Sequence, residues 1–130
     1  MTNEVNKIQS FTDLHTWQEG HKLVVSVYEA VKDLPSHEAF GLRSQMQRAA
    51  VSITSNIAEG FSRRTFADKK HFYYMAKGSL TELQNQLLVA RDVKYIDKEY
   101  FDSLADQSKV VMGLLIGLIR STAINDRRKI

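Results

Sequence analysis

Between residues 65 and 94, Phe66, Tyr73, Ala76, Leu80, Leu83, Leu87 and Ala90 recur at steps of three, four and seven. Such a stripe follows one face of an α-helix and would be scattered over both faces of a strand. Three further segments repeat the pattern. Leu14, Trp17, Val24, Tyr28 and Val31, with His21 completing the spacing, mark one helix, and Leu42, Met46, Ala49, Ile53 and Ile57 mark another. Phe101, Leu104, Ser108, Val111, Leu115 and Leu118 mark a last one. The pattern predicts helices over about residues 12–34, 36–60, 65–94 and 97–122. Connections of a few residues make consecutive helices antiparallel neighbours. The expected fold is all-α, an up-down-up-down antiparallel four-helix bundle occupying residues 1–130 as one domain.

Local chemistry places the ends. Ser10 or Thr12 can cap the first helix, and Pro35 disfavours helical geometry at Leu34. Ser36 or Gly41 opens the second, and Gly60 fits a C-terminal cap, where a positive φ costs glycine little. Thr65 with Asp68 resembles a capping box, and Asp97 caps the fourth helix. The chain has no cysteine, which excludes disulfides, Cys-ligated metals and thiol nucleophiles. Its first ten residues lack the apolar core of a signal peptide, so the chain is read as cytoplasmic. The most apolar window, residues 110–119, is about half a membrane span, so it is read as a buried helix segment and no membrane partner is expected.

Two surfaces exceed what a lone bundle needs. The fourth helix carries Val110, Val111, Met112, Leu114, Leu115, Ile116, Leu118 and Ile119 around nearly its whole circumference. A helix apolar all round must be covered all round, by loops, by the C-terminal tail or by another copy of the chain. Self-association is the preferred reading. The second helix carries a polar row, Gln45, Arg48, Ser52, Asn56, Glu59 and Arg63, beside small Ala49 and Ala50. It suits either a wet face or a hydrogen-bonded contact at a subunit or helix interface. Gly78 and Ser79, inside the third helix, suggest a backbone that something approaches closely, and Glu82 is read as hydrogen-bonding within the same contact.

The chain resembles the four-helix-bundle family encoded by intervening sequences of bacterial 23S rRNA genes. The likeness rests on Phe11-Thr12-Asp13-Leu14 with Trp17-Gln18, and on Pro35, Glu38 and Phe40-Gly41-Leu42. It continues through Gln45, Arg48-Ala49-Ala50-Val51-Ser52-Ile53, Asn56-Ile57-Ala58-Glu59-Gly60, Gly78-Ser79-Leu80 and Glu82-Leu83. Gly20 departs from it, where a better helix former such as alanine is expected. The resemblance implies a homopentamer, often with a basic surface. It also implies kinship with accessory variability proteins of retroelements, which bind nucleic acid and assist a reverse transcriptase.

No enzyme is expected. Asp68-x-x-His71 is a single copy of a ligand pair that a dinuclear bundle needs twice, no serine sits in a nucleophile elbow, and Glu59 should pair with Arg63 one turn on. No metal or cofactor is implied. His21 reads as a hydrogen-bonded interface or core histidine. The net charge of +3 collects at one end of the bundle. There Lys7, Arg63, Arg64, Lys69, Lys70, Arg120, Arg127, Arg128 and Lys129 face Glu4, Asp13, Glu19, Glu59, Asp68 and Asp126, and five copies in a ring would carry about +15 on one rim. Arg63, Arg64, Lys69, Lys70 and Lys77 are the candidate phosphate contacts on RNA or DNA, with Tyr74 between Lys70 and Lys77 as a stacking platform. The alternative is a scaffold or adaptor for a neighbouring gene product such as a reverse transcriptase, with the basic rim serving solubility or steering.

Overall fold

The computed structural model describes residues 7–128, except for the side chains of Arg127 and Arg128. Four long helices, α1 (His15–Val31), α2 (Leu42–Ser62), α3 (Phe66–Asp92) and α4 (Lys98–Arg128), follow one another with short links. Each packs on two neighbours: α1 on α2 and α4, α2 on α3, and α3 on α4, with the α2–α3 pair the most extensive. Residue contacts run antiparallel around this square. The end of α1 meets the start of α2 where Arg43 donates to the Leu34 carbonyl, 2.9 Å. Ser52 meets Ser79, Gln84 meets Ser108, and Thr16 donates to the Leu114 carbonyl.

The core follows the stripes of α2, α3 and α4. Met46, Ile53, Ile57, Leu80, Leu83, Leu87, Leu104, Val111 and Leu115 are all buried. In α1 the fully buried residues are Thr16, Gly20, Leu23, Val27, Ala30 and Val31; of the expected stripe, Leu14 and Val31 are buried, Trp17 and Val24 pack half-buried against the core, and His21 and Tyr28 lie outside. Apolar residues occupy both sides of this helix, and spacing alone does not rank them. The side bearing His21 and Tyr28 is the one left outside. His21 is exposed and stacks on Trp17, with ring centroids 4.8 Å apart, and Phe11 meets the indole in an edge-on contact at 5.4 Å. His21 is thus part of a flanking aromatic cluster and not of the core.

The helix ends also shift. Ser10 and Asp13 form a reciprocal capping box, but around the short 3₁₀ turn Phe11–Asp13, and α1 starts only after it. A second 3₁₀ turn, Ser36–Glu38, delays α2 to Leu42. Thr65 and Asp97 cap α3 and α4 by accepting from the Asp68 and Tyr100 amides. At the end of α3 the Tyr95 amide donates to Ala90 and the Lys94 amide to Arg91, closing a Schellman turn. Lys94 itself holds the left-handed φ of 67° that this turn requires.

Gly60 is not a cap. Helix α2 continues to Ser62, and no glycine among the described residues has a positive φ. A Cβ on Gly60 would lie 2.5 Å from Cε1 of Tyr73 and 2.7 Å from its Cδ1. The glycine is there because the buried Tyr73 ring of α3 fills the space of a side chain. Gly20 has a milder version of the same role, since its Cβ would lie 3.2 Å from Cγ2 of Thr54 across the α1–α2 contact. Gly78 has the opposite environment, with nothing within 4 Å. Among the described residues nothing makes the close approach expected there.

Candidate nucleic-acid interface

The three-residue link between α2 and α3 builds one corner of the bundle. Arg63 leaves α2 in an extended conformation. Its guanidinium lies 3.2 Å from the Glu59 carboxylate and 4.6 Å above the Phe72 ring. Lys69, one turn into α3, turns back on α2. Its Nζ donates to the Phe61 carbonyl at 2.8 Å and to Gly60 at 3.3 Å, and it lies 5.5 Å from the Phe61 ring. An ammonium at the negative end of a helix is favourable, so Lys69 is first a cap of α2.

Lys70 and Lys77 present charge differently. Both approach the Tyr74 ring, at 5.9 and 5.2 Å, and Lys70 also lies 6.0 Å from Phe66. Tyr74 is 48% exposed. The result is a lysine–tyrosine–lysine ladder on the outer face of α3, beginning seven residues after Arg63. Arg64 is exposed beside it, at the mouth of an open cleft of about 500 Å³ between this corner and α4. Of the other charges assigned to this end, Glu4, Lys129 and the side chains of Arg127 and Arg128 lie outside the described residues. Asp13 is committed to the Gln9 and Ser10 amides, and Glu19 to Lys22 at 2.8 Å. Among the described residues no three His, Asp or Glu side chains gather in one place.

The polar row divides into two parts. Ser52 and Ser79 share a 2.8 Å hydrogen bond across α2 and α3, and Asn56 donates back to the Ser52 carbonyl at 2.8 Å and to its hydroxyl at 3.1 Å. These residues join two helices of one chain. Gln45 and Arg48 are exposed and, with Glu82, border a shallow groove along the same seam. Glu82 also accepts from Gln86 at 3.3 Å.

The outer side of α4 is uncovered among the described residues. Val110, Ile116 and Ile124 are exposed, and Gly113 and Gly117 have no neighbour within 4 Å. The window read as buried therefore has one buried side, formed by Val111 and Leu115, and one open side. Helix α4 reaches Arg128, beyond the expected stop at Thr122, and Lys98–Asp126 is long and apolar enough to cross a membrane by length and composition. A second exposed apolar group is Phe40, which is 99% exposed between the two first helices. The stripe reading missed it, although an aromatic residue off every stripe and beside Gly41 is its signal.

At the far end, Glu38 ties three elements together. One carboxylate oxygen accepts from the Leu42 amide at 3.1 Å, capping α2, and the other accepts from the Tyr95 hydroxyl at 2.8 Å. The Leu42 amide, then the Tyr95 hydroxyl, hold its pKa below the ordinary 4.5. A lowered folded-state pKa gives stability that is present above the unfolded value and is lost as pH falls through the folded one. Melting temperature should therefore drop as pH is lowered below about 4.5, and Glu38→Gln should flatten that acid limb in melts followed by circular dichroism. An acid limb unchanged in the variant would contradict the role given to Glu38.

Fold and corner together define an all-helical protein, a four-helix bundle with a cationic, aromatic patch at the α2–α3 turn. The chain belongs to the 23S rRNA-intervening sequence protein family, whose model matches residues 12–117. Its fold is similar to the crystal structure of a protein with unknown function from the S23 ribosomal protein family of Bacteroides thetaiotaomicron VPI-5482. The TM-score is 0.74 at 22% identity, over 81% of this chain and 95% of that one. No curated protein matches the sequence.

Proposed function

We propose that this chain is a non-enzymatic, self-assembling bundle, a homopentamer as the resemblance implies, that holds a nucleic-acid backbone at its α2–α3 corner. The observation that carries the reading is the Lys70–Tyr74–Lys77 ladder beside Arg63 and Arg64. Cations interleaved with an exposed ring neutralise phosphates and offer a face to a base, without demanding a sequence. Lys69 adds its charge to the local field while its ammonium stays on α2. The uncovered side of α4 supports assembly, which would repeat the corner around a rim and multiply its field.

Binding of labelled RNA and DNA, followed by fluorescence anisotropy across salt, tests the reading. Affinity should fall steeply with salt, and replacing Lys70 and Lys77 together by alanine should reduce the slope of log K against log salt by about 2. No binding at low salt would reject it. Phe40 and the open groove of Gln45, Arg48 and Glu82 favour a second reading, an adaptor for a neighbouring gene product such as a reverse transcriptase. Capture of that product by wild type, lost on Phe40→Ser while no nucleic acid binds, would select it.

A further inference from the structure

The cleft at the mouth of which Arg64 stands arises from helix length. Thr16, near the start of α1, is level with Leu114, so α4 runs on for fourteen residues to Arg128, about 20 Å at 1.5 Å per residue. The α2–α3 link is too short to fold over this overhang. An open space remains between them, within the volume range of small-molecule sites. Phe61 and Phe66 supply apolar walls on one side and Leu118 on the other, with Asn125 at the rim.

Tyr73 lies in its depth. The residue is only 2% exposed and lines the cleft, yet its hydroxyl makes no hydrogen bond among the described residues. The hydroxyl is not a sealed, unpaired atom: the small exposure of the residue leaves it open to the cleft, where a group entering from solvent can accept from it. Burial pushes its pKa up to about 12, so it stays a protonated donor. Apolar walls with a donor in their midst, an amide at the rim and an arginine at the mouth match a flat heteroaromatic ring joined to a phosphate, and the Asp126 carboxylate in the same lining can accept from a ring amino group.

Resting on the nucleic-acid reading above, we propose that this cleft receives one unstacked base of a single strand whose backbone runs along Arg63, Arg64 and Lys70. A base inside a duplex cannot enter, so the protein prefers single strands and unpaired loops to duplexes.

Anisotropy with short labelled homopolymers, each as a single strand and as its duplex, tests this. Wild type should bind the single strand about tenfold more tightly than the duplex. Tyr73→Phe keeps the ring against Gly60 and removes only the unpartnered hydroxyl. It should lower single-strand affinity about threefold to tenfold, the worth of one lost hydrogen bond, with duplex affinity and melting temperature unchanged. Thr122→Phe, which fills the cleft without altering charge, should bring single-strand affinity down to the duplex level. A free mononucleotide should bind far more weakly than the strand; one that binds as tightly would make this a small-molecule site and overturn the proposal. Equal single-strand and duplex affinities, indifferent to both variants, would also overturn it while leaving salt-dependent backbone binding intact. Absence of all binding by wild type would overturn both readings.

Discussion

Gly60→Val should cost the bundle more than about 3 kcal/mol, since overpacking at a site that cannot relax exceeds the usual range for added methylenes. The midpoint of thermal unfolding should fall by about 10 °C or more for a chain of this size. The reason is the 2.5 Å separation between a Cβ on Gly60 and the Tyr73 ring, which is itself buried. Gly60→Ala is the sharper version of the test. Helix propensity alone favours alanine by about 1 kcal/mol, so a lowered midpoint identifies the ring contact and a raised one removes it. Shrinking the ring in the same chain should restore part of the loss, a coupling that residues in contact show and distant ones do not.

The second large effect concerns the outer side of α4. Placing lysine at both Val110 and Ile116 should dissociate the proposed assembly into monomers, because a charge buried without a partner at an interface costs several kcal/mol. Both side chains already face outward, at 49% and 36% exposure. The isolated bundle should therefore keep its helical circular dichroism and its melting temperature. Sedimentation velocity reads the change directly, and a double variant that keeps the wild-type size would remove this face from the interface.

Much of the fold is legible in the stripes of α2, α3 and α4 because on those helices the apolar residues lie on one side, or the inner side is continuous. In α1 two apolar sides compete, and the choice depends on how Gly20 lets α1 settle against Thr54, a contact distant in sequence. The helix ends marked by side-chain caps, Thr65 and Asp97, are readable for the same local reason. Those shifted by 3₁₀ turns are not, since a turn of three residues leaves no periodic trace. Gly60 and Gly78 show why a glycine alone is ambiguous. One is emptied by a neighbouring ring and the other faces open space, and nothing adjacent in sequence separates the two.

At the corner, the identity of the cationic residues can be read from sequence but their engagements cannot. Lys69 and Lys70 are adjacent, yet a helix turns them about 100° apart, one toward the carbonyls of α2 and the other toward Tyr74. The opening of the Tyr73 hydroxyl onto the cleft is likewise invisible in a stripe, where the residue counts simply as core.

Sedimentation of the chain with a labelled single-stranded RNA, at low and then high salt, reads self-assembly and backbone binding in one measurement. A species several times the 14.9 kDa of one chain should carry the label at low salt and release it at high salt. A 14.9 kDa monomer that leaves the label unbound at low salt would contradict both.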